Sequence, residues 1–128
     1  MRVLLDTHAF LWWITDNPKL SLRAGEIIKN MDNEVFVSAA SGWELVIKTQ
    51  LGRLKISENP VDFIREQIQL NAFQSLAIRM NHALRIFSLP DHHKDPFDRL
   101  LVAQAQVEEM SILTADHQIA CYDVAVIW

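Results

Sequence analysis

The chain has few of the residues that build disulfide-stapled, zinc-binding or turn-rich proteins. Its single cysteine, Cys121, excludes an intramolecular disulfide, and no Cys/His spacing typical of zinc is present. Three glycines and four prolines among 128 residues argue against a β-sandwich, a barrel or a disordered chain. Half of the residues are hydrophobic, so we expect one domain over residues 1–128 with a substantial core.

Long apolar runs and an excess of positive charge are also absent. No run approaches the roughly 20 residues that cross a membrane, and Asp6 interrupts the first apolar run too early for a signal peptide. The formal net charge is −4, which is not typical of a nucleic-acid-binding protein. Clustered carboxylates would account for that charge. We therefore expect a soluble, cytoplasmic protein with no membrane partner.

Short β-branched or aromatic runs alternate with helical patterns. Strands are predicted at Arg2–Leu5, Glu34–Ser38, Gln74–Ala77, Ser111–Thr114 and Ala125–Trp128. Helices are predicted at Thr7–Ile14, Ser21–Met31, Ser41–Leu51, Pro60–Leu70, Ile78–Phe87 and Pro96–Glu109. Alternation of this kind indicates right-handed βαβ units, and hence an α/β fold with a parallel sheet.

Four acidic residues lie where a predicted strand gives way to a helix or within the first turn of a predicted helix: Asp6, Glu44, Asp98 and Asp116. In a parallel α/β sheet these junctions share one edge, beyond the carboxyl ends of the strands. Grouped carboxylates repel unless a cation joins them, and the chain offers no matching cluster of Lys or Arg. The pattern therefore favours a divalent metal site.

Helix capping is the competing explanation for each acid taken singly. Asp6 and Asp116 precede helical segments, Ser41 and Glu44 match the S-x-x-E capping box, and Asp95 precedes a proline at a helix start. For any one acid, capping is the better interpretation. The four together favour the metal site.

Four segments also resemble blocks of one known family. They are Leu4–Trp13 (LLDTHAFLWW), Val37–Glu44 (VSAASGWE), His93–Leu101 (HKDPFDRLL) and Leu113–Asp116 (LTAD). In their order and spacing they resemble PIN-domain proteins, specifically the VapC-like toxins of type II toxin–antitoxin pairs, and the ending Val124–Trp128 is similar too. The resemblance covers essentially the whole chain.

The resemblance implies a three-layer Rossmann-like fold, with a central parallel sheet of four to five strands flanked by helices. It implies an endoribonuclease that depends on Mg²⁺ or Mn²⁺, with the acidic quartet Asp6, Glu44, Asp98 and Asp116 as metal-binding and catalytic residues. Thr114 matches a hydroxyl near the metal. The resemblance further implies an RNA substrate, a homodimer and a small antitoxin partner, with DNA contacted only through the antitoxin.

A carboxylate-held ion can activate water, neutralise the phosphate and assist the leaving oxygen. We assign Asp6 and Asp98 as direct ligands, whereas Glu44 and Asp116 bind a second ion or hold waters. Cleavage by activated water would leave a 5′-phosphate and a 3′-hydroxyl, and this chemistry alone does not select RNA over DNA.

Basic residues near the acids are candidates for substrate binding, although residues of this kind at helix ends are usually solvated. They are Lys48, Arg53, Lys55, Lys94 and Arg99. Asp95 is a candidate for a supporting role. His92 and His93 would serve as acid and base in a metal-free ribonuclease, although a polar loop explains them better. Trp12 and Trp13 either stack on bases or pack in the core and at an interface.

Three other functions compete. A receiver-type signalling domain needs paired acids after the first strand and a late lysine, but Asp6 stands alone and no lysine follows Lys94. A haloacid-dehalogenase-type phosphatase needs a second aspartate where His8 stands. A non-catalytic PIN-like module that binds RNA or protein remains open, although the intact quartet argues against it.

Overall fold

The structure is a computed structural model that describes residues 1–128. The strands are β1 (Arg2–Leu5), β2 (Glu34–Ser38), β3 (Gln74–Leu76), β4 (Ser111–Leu113) and β5 (Val126–Ile127). The α-helices are α1 (Thr7–Ile14), α2 (Leu22–Lys29), α3 (Ala39–Gln50), α4 (Pro60–Leu70), α5 (Met80–Arg85), α6 (Pro96–Glu108) and α7 (His117–Ala120). A 3₁₀ turn at Ile86–Ser88 follows α5.

All five strands form one parallel sheet in the order β3-β2-β1-β4-β5. The central strand is β1, with Val3 paired to Val35 on β2 and to Ser111 on β4. The chain runs outward from β1 through β2 to β3, and then returns to the other side through β4 and β5. The strand order therefore reverses between β1 and β4, which is where α/β folds of this kind place their ligand crevice.

The sheet is covered on both faces, which confirms the predicted three-layer α/β fold. One core contains Val3 and Leu5 of β1 together with residues of α1, α2 and α4. The other contains Leu4 together with residues of α6 and α7, and α5 packs against α6. Burial on both sides explains why the central strands have no alternation of polar and apolar residues.

Helix α3 begins earlier than the sequence predicts. Ser38, at the end of β2, is its N-cap, and the Ser38 hydroxyl accepts a hydrogen bond from the Ala40 amide at 3.0 Å. The capping box predicted from Ser41 and Glu44 is therefore wrong, since both lie inside the helix. The Ser41 hydroxyl instead accepts a hydrogen bond from Thr7 Oγ1 at 3.0 Å, which joins α3 to α1.

Apolar periodicity places Trp43, Val46, Ile47 and Leu51 on one face of this helix, but that is not the face that α3 turns inward. Trp43 and Leu51 are exposed, whereas Ser41, Glu44 and Leu45 are buried. Helix α3 contributes Ala40 to one core and Leu45 to the other, so it lies across the carboxyl end of the sheet. This position turns its polar residues towards the crevice.

The remaining differences are small. Helices α2 and α5 are shorter than predicted, and the short helix α7 follows Asp116, where the sequence predicted no helix bounds. No helix combines the length and the apolar character needed to span a membrane.

Candidate active site

Asp6 lies directly after the central strand β1, at the switch in strand order. Its backbone amide continues the sheet by donating to Leu113 O at 3.1 Å, and Oδ1 caps α1 by accepting from the Ala9 amide at 2.6 Å. Oδ2 accepts a short hydrogen bond from the hydroxyl of Thr114. Burial raises the pKa of Asp6, against the hydrogen bonds from Thr114 and Ala9 that lower it. Asp6 is thus both a cap and a buried carboxylate.

Thr114 and Asp116 follow the neighbouring strand β4. Besides donating to Asp6, the Thr114 hydroxyl accepts from the Asp116 amide at 2.9 Å. Asp116 caps α7 through an oxygen that accepts from the Gln118 amide at 2.8 Å. Thr114 therefore links the ends of β1 and β4, and the negative charge of Asp116 contributes to the raised pKa of Asp6.

Glu44 is buried on α3, and only one of its two carboxylate oxygens has a partner. Its Oε2 forms an ion pair with Lys48 Nζ at 2.9 Å, one helical turn on. Its other oxygen, Oε1, is buried and has no hydrogen-bond partner. A buried carboxylate oxygen without a partner destabilises the folded state, because no hydrogen bond offsets the free energy of removing it from water. This oxygen is therefore available to a ligand.

Asp98 lies in the first turn of α6. Its Oδ2 is 3.2 Å from His93 Nε2, and its backbone amide donates to the N-cap Asp95 at 3.1 Å. Burial raises the pKa of Asp98 to about 6, with the charge of Asp95 as the next cause; the His93 hydrogen bond opposes the rise, and the charges of Asp116 and Glu44 add to it. Two other acids of the quartet, Asp116 and Glu44, therefore contribute to the raised pKa of Asp98.

The four acids thus lie on four different elements. The charge of Asp116 raises the pKa values of Asp6 and Asp98, and the charge of Glu44 raises that of Asp98. No three His, Cys, Asp or Glu side chains are close enough together to hold a metal ion as they stand. The donor set is nevertheless all oxygen, as Mg²⁺ and Mn²⁺ prefer, and it includes the unpartnered Glu44 oxygen. In the chemistry of their donor atoms, the residues fit such an ion.

Two cavities lie near this region. A cleft of about 240 Å³ is lined by Asp6, His8, Trp12, Ala115 and Asp116, at the switch in strand order. A larger cavity of about 700 Å³ lies between α1, α2 and α4 and contains none of the four acids. The smaller cleft is therefore lined by two of the four acids, Asp6 and Asp116, whereas Glu44 and Asp98 are not among its lining residues.

Two predicted substrate contacts are engaged within the protein. Lys48 pairs with Glu44. Arg99 Nη1 donates to Pro90 O at 2.8 Å and to the Tyr122 hydroxyl at 3.0 Å, so it braces the loop before α6. Asp95 caps α6. The remaining basic candidates are exposed: Arg53, Lys55 and Lys94.

Some residues near the acids were not singled out from the sequence. Tyr122 contacts His93 and Arg99 from the segment after α7. Gln104 is fully buried, and its Oε1 accepts from the Ser38 hydroxyl at 2.6 Å, which ties α6 to the start of α3. The one sign of this contact in the sequence was that Gln104 is a polar residue within the apolar run of α6. Tyr122 had none, because it contacts residues more than 20 positions away.

Comparison with known proteins identifies the family. A family model described as "PIN domain" matches residues 3–125. The chain belongs to the PIN-domain family. This PIN domain is 27% identical over 118 residues to Ribonuclease VapC22 of Mycobacterium tuberculosis (strain ATCC 25618 / H37Rv), covering 91% of this chain and 88% of that protein.

Two solved structures share the fold of this PIN domain. VapBC2 from Rickettsia felis, bound to a DNA fragment from their promoter, superimposes with a TM-score of 0.74 at 14% identity and covers 99% of this chain and 98% of that chain. A toxin–antitoxin complex from Klebsiella pneumoniae gives a TM-score of 0.65 at 16% identity, covering 98% and 96%. The recognition of the family from its four sequence blocks is confirmed.

Proposed function

We propose that this PIN domain, a single domain over residues 1–128, is an endoribonuclease that depends on Mg²⁺ or Mn²⁺. The observation that carries the proposal is the set of four acids linked by their charges near the switch in strand order, with one buried Glu44 oxygen left without a partner. The similarity to Ribonuclease VapC22 over most of both chains supports RNA as the substrate. Carboxylate chemistry alone does not distinguish RNA from DNA.

Asp6 and Asp98 are the residues we assign to hold the ion directly. Asp6 lines the cleft at the end of β1, and Asp98 lies on α6, where the charge of the cleft residue Asp116 affects its pKa. Each has a raised pKa caused chiefly by burial, so a bound cation relieves a cost already present in the fold. The ion would supply an activated water, charge neutralisation on the phosphate and support for the leaving oxygen. Products would carry a 5′-phosphate and a 3′-hydroxyl.

The other members of the site position these groups. Thr114 holds Asp6 Oδ2, which restricts the carboxylate to one orientation. Lys48 holds Glu44 Oε2 and leaves Oε1 directed away from that ion pair. We assign Glu44 and Asp116 to a second ion or to ordered waters.

The RNA backbone needs cationic contacts beyond the metal site. Because Lys48 and Arg99 are engaged within the protein, we assign this role to the exposed Arg53, Lys55 and Lys94. The exposed ring of Trp43, which contacts Phe97 edge to face at 5.3 Å, lies next to Glu44 and is available to stack on a base.

We further propose that the enzyme is the toxin of a toxin–antitoxin pair and acts as a homodimer. The name of the similar ribonuclease and the toxin–antitoxin complex that shares its fold support this role. In the Rickettsia complex VapBC2 is bound to promoter DNA. Here we propose that DNA is contacted only through the antitoxin.

The test is RNA cleavage by the purified protein with Mg²⁺, with Mn²⁺ and with EDTA, together with identification of the product ends. We expect cleavage only with metal, 5′-phosphate ends, and loss of nearly all activity in Asp6→Asn. Undiminished cleavage in EDTA with 2′,3′-cyclic phosphate ends would transfer the chemistry to His92 and His93. RNA binding without cleavage under any condition would support the non-catalytic alternative.

A further inference from the structure

A chain of hydrogen bonds runs from Arg99 on α6 through Tyr122 and His93 to Asp98. Arg99 Nη1 donates to the Tyr122 hydroxyl at 3.0 Å, that hydroxyl lies 2.8 Å from His93 Nδ1, and His93 Nε2 lies 3.2 Å from Asp98 Oδ2. We propose that Tyr122 is a positioning residue, which holds His93 in the tautomer that donates to Asp98. The proposal rests on the proposed function, in which Asp98 holds the catalytic ion.

The hydrogen-bonding capacity of each group determines which atom donates and which accepts along this series of hydrogen bonds. An arginine guanidinium can only donate, so the Tyr122 oxygen accepts from Arg99. The single hydroxyl proton of Tyr122 is then free to be donated to His93 Nδ1. A neutral imidazole whose Nδ1 accepts a hydrogen bond carries its proton on Nε2. That N–H faces the Asp98 carboxylate, which is an acceptor.

The surroundings hold this chain in place. Tyr122 is 4% exposed and belongs to the core that contains α6 and α7, and the ring of His92 packs on it edge to face at 4.8 Å. Arg99 also donates to Pro90 O at 2.8 Å and to His93 O at 3.4 Å. The loop carrying His93 is therefore fixed from both ends, and the His93 side chain is only 9% exposed.

The consequence for Asp98 is a fixed carboxylate. With Nε2–H donating to Oδ2, one oxygen of Asp98 is occupied and the other is free for a ligand. Without the Tyr122 hydroxyl, the imidazole can carry its proton at Nδ1 instead. The Nε2 lone pair would then face a carboxylate oxygen, and Asp98 would turn away. Loss of such an outer contact typically weakens metal binding by about 10-fold to 100-fold.

Tyr122→Phe is the decisive variant, since it keeps the buried ring and removes only the hydroxyl. Thr15→Val is the matched control, because it removes an exposed hydroxyl that donates to Leu11 O within α1 and its C-cap. His93→Gln keeps an N–H donor near the position of Nε2, whereas His93→Asn is too short to keep it. The glutamine variant should therefore rescue what the asparagine variant loses.

Two measurements test the proposal. Long-range ¹H–¹⁵N correlation spectra of the metal-free wild type at pH 8 report the His93 tautomer directly, and we expect the proton on Nε2. Titration of Mn²⁺ followed by electron paramagnetic resonance gives the dissociation constant. We expect it to rise about 10-fold or more in Tyr122→Phe and His93→Asn, and by less than about 3-fold in Thr15→Val and His93→Gln.

A wild-type spectrum with the proton on Nδ1, or on both nitrogens, overturns the proposal whatever the variants do. Wild-type Mn²⁺ affinity in a folded Tyr122→Phe also overturns it. Asp98→Asn separates this failure from failure of the proposed function. If Asp98→Asn loses Mn²⁺ binding and RNA cleavage while Tyr122→Phe keeps both, only the role of Tyr122 is wrong. If Asp98→Asn keeps both, the proposed metal site is wrong.

Discussion

Asp98→Asn should make the metal-free protein more stable while it removes activity. The carboxyl of Asp98 has a pKa of about 6 in the folded chain against 3.8 for an ordinary aspartate. Two pH units correspond to about 3 kcal/mol. Solvent screening of a side chain that is 19% exposed, and loss of a favourable charge at the start of α6, reduce the expected gain to about 1 kcal/mol.

The gain should depend on pH in a defined direction. A raised pKa means that folded Asp98 binds its proton more tightly than unfolded Asp98 does. The wild type therefore loses stability as the pH rises from about 4 to about 6, and the loss is complete above the folded pKa. The asparagine variant has no such loss. Its advantage should be full at pH 7.5 and absent near pH 4.

Urea unfolding in EDTA at these two pH values measures the difference in the free energy of unfolding. Excess Mn²⁺ should reverse the order at pH 7.5, because a ligand that binds only the folded state stabilises the wild type. The reasoning is refuted if Asp98→Asn is less stable than the wild type in EDTA at pH 7.5. An advantage of equal size at both pH values would also refute it, since the charge of Asp98 would then be irrelevant.

Three other variants test separate parts of the site. Glu44→Gln should fold normally, bind Mn²⁺ more weakly and cleave RNA at least ~10²-fold more slowly; unchanged turnover at saturating Mn²⁺ would reduce the site to three aspartates. Ser38→Ala should lower the free energy of unfolding by about 1–3 kcal/mol in urea, because it removes the cap of α3 and a hydrogen bond to buried Gln104; an unchanged midpoint would contradict this. Trp43→Ala should raise the KM for RNA severalfold at constant kcat, and an equal KM would exclude stacking on its exposed ring.

The sheet could be predicted from sequence because its strands are buried on both faces. Leu4 and its neighbours in β1 form an uninterrupted apolar run that ends at Asp6. The buried residues of β2 and β4 form similar apolar runs, which end at Ser38 and Thr114. The ends of these runs mark the carboxyl edge, so the positions of Asp6 and Asp116 beside it followed from local pattern and topology. The weakest strand, β5, has only two residues, and its predicted bounds were too wide.

The start and the buried face of α3 could not be predicted from the same patterns. Ser38 and Ser41 both fit an N-cap, and only the end of β2 decides that Ser38 takes the role. Apolar periodicity also favoured burial of Trp43, which is exposed. The helix buries Ser41 and Glu44 instead, because it contributes to both cores across the end of the sheet. Tertiary position overrode local preference there.

Contacts between segments far apart in the sequence could not be predicted, for a different reason. Arg99 was predicted to bind substrate because it follows Asp98, but its partners, Pro90 O and Tyr122, are set by how the loop before α6 meets the segment after α7. His93 likewise meets Tyr122, which is 29 residues away. Local spacing carries no information about such pairs.

Anomalous diffraction from crystals of the active protein grown with Mn²⁺ tests the central claim most directly. The account predicts an anomalous peak in the cleft beside Asp6 and Asp98, with the Glu44 carboxylate turned towards it, and no peak there in Asp98→Asn crystals. A protein preparation that cleaves RNA in Mn²⁺ but whose crystals place the ion elsewhere would contradict the account.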